Sequence, residues 1–340
     1  MTTYNQASRL RGVRYDVRGR NMIEAQRMEA AGQRILKLNI GNLAPFGFET
    51  PGSVVRSMVA HLPESEGYSD SRGIYSARTA VANYYQSKGL DVDVDQVMLG
   101  NGVSELISIV LQALLDVDDE VLIPAPDYPL WTAQVTLCGG RAVHYLSDES
   151  NGWNPDPADI AARITPRTKA IVLINPNNPT GAVYSGQTVR GIVELAREHG
   201  LIVLSDEVYE KIIYHGEHVH AAGPAGDDVL CLTFSGLSKA YRVCGYRAGW
   251  VAITGPKHEA ANYIEGITLL ASMRLCSNVP AQHAIQTALG GYQSIDALVA
   301  PGGRLHEQRD VAYRMLNEID GVSCNQSDGA LYLFPKVDTE

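Results

Sequence analysis

From about residue 95 the sequence alternates short apolar runs with longer segments of helical spacing, and this rhythm leaves few folds open. The apolar runs are QVMLG, EVLIP, RAVHYL, KAIVLIN, LIVLSDE, VLCLTF and GWVAIT. Between them, SELISIVLQALL and TVRGIVELAREHG place apolar residues three or four apart, the spacing of one helix face. Strands that are apolar on both faces must be covered on both sides. The rhythm therefore predicts an α/β fold, a mostly parallel central sheet with helices on either face. Beyond it, Tyr292 to Glu318 predicts a long helix broken around Pro301-Gly302-Gly303, and GALYLFPKV predicts one more strand in a smaller domain.

Composition narrows the chemistry. With 45% hydrophobic residues over 340 positions there is material for a large core. A net charge of −10, with no dense Lys/Arg run, opposes binding to nucleic acid or to a membrane surface. No run approaches the roughly 20 apolar residues that span a bilayer. The N-terminal MTTYNQASRLRGVRY lacks the apolar middle of a secretion signal. Cys138, Cys231, Cys244, Cys276 and Cys324 are scattered, odd in number and free of C-x-x-C spacing, which predicts free thiols in a cytoplasmic protein. Among them Cys244 reads as a small buried residue. His215, His218 and His220 lie in a polar stretch that matches no metal-ligand motif, which predicts a solvated loop and no metal site.

Open parallel sheets bind ligands beyond the carboxyl ends of their strands, so those ends locate the candidate site. QVMLG runs into Asn101-Gly102-Val103-Ser104 and a helix whose first amides are unpaired donors suited to phosphate. An ordinary turn capped by Ser104 would read the same way. KAIVLIN ends in NPNNPTG (175–181), where two prolines fix the backbone and asparagines such as Asn178 supply amides, whether as a rigid turn or as a positioned group. LIVLSDE delivers Asp206, with Tyr209 three residues on. A carboxylate leaving an apolar strand needs a cation or several hydrogen bonds, unless it caps a helix. VLCLTF opens into SGLSKAYRVCGYR. Here Lys239 stands where a desolvated amine can act as nucleophile and base, and Arg247 can grip phosphate with two parallel bonds. All four features at successive strand ends point to one site.

Taken together, S-x-x-S-K with the arginine eight residues on, NPNNPTG and S-D-E-x-Y resemble the class I/II aminotransferases of the fold-type-I pyridoxal phosphate superfamily, over nearly the whole chain. YDVRG, LNIGN, APFGFE, APDYPLW and ASMRLCSNVPAQHAIQTALGGYQS look like the bacterial alanine aminotransferases within it. The resemblance implies transamination between L-alanine and 2-oxoglutarate, giving pyruvate and L-glutamate by a ping-pong route with pyridoxal 5'-phosphate as cofactor. It implies that Lys239 holds the cofactor covalently and then shuttles a proton, and that Asp206 pairs with the ring nitrogen. Asn178 and Tyr209 would meet the ring's phenolate oxygen and Tyr128 would stack on the ring. Gly102, Val103 and Ser104, with Ser235 or Ser238 and with Arg247, would hold the phosphate. Tyr68 matches a tyrosine that reaches the neighbouring subunit's phosphate, which implies a homodimer with shared active sites. Gly41, Tyr15 and Asn178 would lie on the substrate side.

By the same resemblance, residues 1–48 and 291–340 form a smaller α/β domain and residues 49–290 the large cofactor-binding one. Three departures stand out. Arg242 replaces a small or aliphatic residue, and Leu43 replaces a proline in the substrate-side loop. No residue matches the C-terminal arginine that grips a substrate carboxylate; Arg18 lies near the site only by analogy. The absent arginine and the incomplete small domain imply a fragment of a longer protein, impaired as a catalyst. The rival readings are an aromatic or branched-chain aminotransferase or a C–S lyase on the same scaffold, since the cofactor carries the chemistry and the pocket selects the bond. A non-catalytic DNA-binding regulator is opposed by the charge.

Overall fold

All seven apolar runs become strands, in a computed structural model that describes residues 4–15 and 19–338. They are β1 (Val97–Asn101), β2 (Glu120–Ala125), β3 (Arg141–Asp148), β5 (Thr168–Ile174), β6 (Ile202–Asp206), β7 (Cys231–Gly236) and β8 (Ala248–Thr254). A two-residue edge strand, β4 (Asn154–Pro155), is the one that the sequence pattern does not announce. The sheet runs β1-β8-β7-β6-β5-β2-β3-β4. Pairing is parallel from β7 through β6, β5 and β2 to β3, whereas β8 is antiparallel to both of its neighbours and β4 to β3.

Side chains alternate across the sheet and sort its apolar residues onto two covered faces. Ala170, Val172 and Ile174 of β5 face the helices Val103–Leu114, Leu130–Leu137 and Ala261–Met273. Ile171 and Leu173 face the helix Gly186–His199 on the other side. That helix starts on Ser185, whose side chain accepts from the Thr188 amide, and stops at Gly200 with φ 63. Toward β1 and β8 the second face is closed by the helices Gly52–Ala60, Tyr75–Gln86 and Val279–Gly290.

The terminal segments lie apart from these layers. Among the described residues Phe48 is the first buried side chain of the chain. Arg304 ties the segment before it to the C-terminal helix Arg304–Asn317 by donating to the carbonyls of Gly47 and Phe46, with its guanidinium 3.9 Å above the Phe48 ring. The two segments meet across a cavity of about 590 Å³ lined by Ile40, Leu43, Phe46, Leu305, Leu316 and Leu331. The break around Pro301-Gly302-Gly303 occurs as expected, but the helix before it is only Asp296–Val299. GALYLFPKV is not a continuous strand. Gly329 and Ala330 give their amides to Gly181 and Ile212, Gly329 makes a lone bridge with Ile213, Ala330 turns to φ 57, and Lys336–Val337 pairs with Val322–Ser323. Among the described residues no helix is long and apolar enough to cross a membrane.

Candidate active site

Lys239 emerges three residues after β7, where the Leu237 amide still pairs with the Ala248 carbonyl. Its Nζ donates to the Gly41 carbonyl at 2.9 Å and lies 5.7 Å from the centre of the Tyr209 ring. Burial, above all, pushes the amine below its ordinary pKa, and the nearby Arg247 adds to this. Cys244 and Asp206 oppose it without reversing it. An amine so placed can be neutral, and therefore basic and nucleophilic, at lower pH than an exposed lysine.

Asp206 closes β6 and is buried. Its carboxylate accepts from Trp131 Nε1 at 3.2 Å and from the Val208 amide at 3.3 Å. Desolvation outweighs both bonds and raises its pKa to about 6. Among the described residues no lysine or arginine pairs with it.

The third element sits at the junction of β1 and β8. Gly102 has φ 78 and caps the helix Val103–Leu114, and a Cβ on it would clash with the Arg247 guanidinium. A Cβ on Gly249 would stand 2.7 Å from the Val103 amide nitrogen, so β8 also needs glycine to come this close. Arg247 donates to the carbonyls of Cys244 and Asn101, and among the described residues it pairs with no carboxylate. A cation beside unpaired helix-start amides makes an anion cradle. Ser104 adds a hydroxyl that faces Tyr128.

Tyrosines wall the remaining side. Tyr15 and Tyr128 share a hydrogen bond at 3.4 Å, and Tyr209 and Tyr332 share one at 2.5 Å with their rings edge to face. A Cβ on Gly41 would lie 2.5 Å from the Tyr332 hydroxyl and 3.2 Å from that of Tyr209. Two of the groups here, Trp131 and Tyr332, carry no role in the sequence reading. Trp131 sits in the quoted APDYPLW, where an indole that must find a hydrogen-bond partner was the available signal. Tyr332 has no such signal.

Other residues are placed differently. Asn178 is half-buried at the β5 end, beside Asn177, whose side chain serves the turn by accepting from Thr180. The Ser235 hydroxyl donates to Glu210 rather than into the cradle, while Ser238 is half-buried next to Lys239. Tyr68 is 80% exposed. Arg242 does not enter the site: it donates to the carbonyls of Glu49 and Ala240 and to Ser294 Oγ, stapling the chain behind Lys239. Leu43 holds φ −81, a value open to proline, so the loop keeps its course. Cys244 is half-buried rather than buried, with Sγ donating to Asn42 at 3.4 Å. Arg18 lies outside the described residues. The solvated-loop reading of His215, His218 and His220 holds for His215 alone. His218 and His220 fold inward onto Glu207, because a fully buried carboxylate requires such partners.

A pyridoxal phosphate group fits these residues. The buried Asp206 lacks a cation, the cradle at Gly102 and Arg247 lacks an anion, and Lys239 stands between them with a basic amine.

The family model for aminotransferase class I and II matches residues 33–340. The chain is 61% identical to an alanine aminotransferase of Mycobacterium tuberculosis, over 99% of this chain and 79% of that protein. It is 56% identical to the glutamate-pyruvate aminotransferase AlaA of Escherichia coli, over 100% of this chain and 84% of that one. The crystal structure of an aminotransferase from Escherichia coli superposes with a TM-score of 0.97 at 56% identity, covering 99% of this chain and 84% of that one.

Proposed function

The chain belongs to the class I and II aminotransferases, and on that premise we propose that it moves the amino group of L-alanine to 2-oxoglutarate, leaving pyruvate and L-glutamate. The observation that carries this is that a neutralisable Lys239 and a cation-seeking Asp206 lie in one site with an anion cradle. The identity to alanine and glutamate-pyruvate aminotransferases directs the reading to alanine. The crowding of Tyr209 and Tyr332 against Gly41 suits a small side chain such as alanine's methyl.

Lys239 would hold pyridoxal 5'-phosphate covalently, with Asp206 at its ring nitrogen. Asn178 and Tyr209 would meet its phenolate oxygen and Tyr128 would lie on its face. Gly102, Val103, Ser104, Ser238 and Arg247 would bind its phosphate. When bound, this cofactor supplies an electron sink for charge developing at the substrate's Cα. The chain's own residues do the rest. Lys239 Nζ would take the proton from the substrate's Cα and hold it for return, which requires an amine that is deprotonated part of the time. A charged Asp206 would stabilise a cationic ring nitrogen and so keep that sink strong. Tyr332 holds the Tyr209 hydroxyl in one orientation.

The active form is a homodimer in this reading. The chain exposes 16925 Å², against roughly 13,600 Å² for a compact monomer of its mass. Tyr68, Tyr75, Met273 and Leu275 are among the large side chains exposed. Five unpaired thiols suit a cytoplasmic setting. The test is product analysis: protein given alanine and 2-oxoglutarate should form pyruvate and glutamate in equal amounts. A lyase would instead form no glutamate from this pair and would release a thiol, pyruvate and ammonia from an S-substituted cysteine. Lys239→Ala should lower turnover by roughly 10⁴-fold or more and abolish the borohydride-trapped cofactor adduct. Persistence of that adduct would mean another residue holds the cofactor.

A further inference from the structure

Behind the active-site sheet edge lies a second cluster, made of Glu207, Glu210, His218 and His220. Glu207 follows Asp206 but turns to the opposite face, where its Oε1 accepts from Ser205 Oγ and the Ala221 amide. Its Oε2 takes both imidazoles, His220 Nδ1 at 2.5 Å and His218 Nε2 at 3.1 Å. Two donor atoms of the cluster are buried with no hydrogen-bond partner, Glu210 Oε2 and His218 Nδ1. Glu210 Oε2 stands 3.7 Å from His220 Nε2, too far for a hydrogen bond. Burying such atoms unpaired is costly, and a cation held by the cluster would give Glu210 Oε2 a partner.

We propose that these four residues form a binding site for a divalent transition ion of the zinc type. One donor atom from each lies within 4.8 Å of the others. Four ligands around tetrahedral zinc stand about 3.3 Å apart, so the set closes by small side-chain rotations. Two imidazoles and two carboxylates select a borderline ion over calcium or magnesium, which prefer oxygen alone. A cleft of about 330 Å³, lined by Glu210, Gly216, Glu217, His218 and His220, gives the ion a path from solvent. Lys88 and Lys211 also line it and oppose entry of a cation, which sets the two carboxylates against two amines. The other His/Glu grouping, His61, Glu64 and His283, has stacked imidazoles and an exposed carboxylate, with no orphaned donor. The ion's role is structural. It pins the loop of residues 214–220 to the turn after β6, behind Asp206.

The experiment titrates zinc chloride into the cofactor-loaded protein after chelation and dialysis, and repeats the loading with cobalt(II). The proposal expects one ion per chain, a tetrahedral cobalt spectrum without thiolate charge transfer, and at least tenfold weaker zinc binding in both Glu210→Gln and His220→Gln. Absence of saturable binding overturns it. So does wild-type affinity in both variants, or a thiolate band that places the metal on cysteine. Should either variant lose its fold, the wild-type cobalt spectrum decides alone.

Discussion

Asp206 and Glu207 are neighbours in sequence, are both buried carboxylates, and end in opposite electrostatic states. Burial is the largest influence on each and favours the neutral acid. For Asp206 the hydrogen bonds from Trp131 and Val208 are too weak to offset it, so the group sits at about 6 and awaits a cation. For Glu207 the charges and hydrogen bonds of His218 and His220 win, and hold the carboxyl well below the usual range. One carboxylate is completed by the fold and the other is left for a ligand. A candidate active site and a buried ion network thus arise from the same chemistry, one residue apart at the end of β6.

The sharpest way to break this comparison is Glu207→Gln. Removing the charge from Glu207, whose two oxygens are fully engaged, should cost about 4 kcal/mol of unfolding free energy in the metal-free protein, read by urea denaturation. A loss below about 1 kcal/mol would mean the two carboxylates differ less than described.

Asp206→Asn should do the reverse. The folded pKa lies above the ordinary 3.8, so the folded chain binds this proton more tightly, and stability falls as pH rises from 3.8 through about 6. In cofactor-free protein at pH 8 the variant should therefore be the more stable by up to about 3 kcal/mol, with the gap closing below pH 4. Turnover of the loaded enzyme should drop by roughly 10²-fold. Urea unfolding at the two pH values checks the sign, and a gap of equal size at both would refute it.

The smallest expected effect sharpens the active-site half. Tyr332→Phe removes one hydroxyl contact to Tyr209, worth about 1 kcal/mol, so kcat/KM for alanine should fall about fivefold while the unfolding midpoint holds. An unchanged kcat/KM would show that Tyr209 needs no such restraint.

Strands and the residues at their carboxyl ends were legible because each is a local property. An apolar run announces a strand, and the residue at its end is carried to the mouth of the sheet by the strand itself. Lys239, Asp206, Gly102 and Arg247 were found this way. β4 escaped because two residues leave no pattern, and GALYLFPKV misled because its backbone bonds go to Gly181 and Ile212 instead of a ladder. Tyr332 was invisible because its partner is 123 positions away, and the Gly41 carbonyl meets Lys239 across 198. His218 and His220 looked solvated because a polar loop gives no sign of a buried carboxylate beneath it.

By itself, then, the sequence determined the sheet, its two covered faces and the chemical identity of the strand ends, since periodicity and residue type act over a few positions. Tertiary structure alone decided which of two adjacent carboxylates would be satisfied. That outcome depends on desolvation and on partners from distant segments: Trp131 for Asp206, and the loop bearing His218 and His220 for Glu207. Charge state inside a protein is set by what surrounds a group, and the surroundings exist only once the chain has folded.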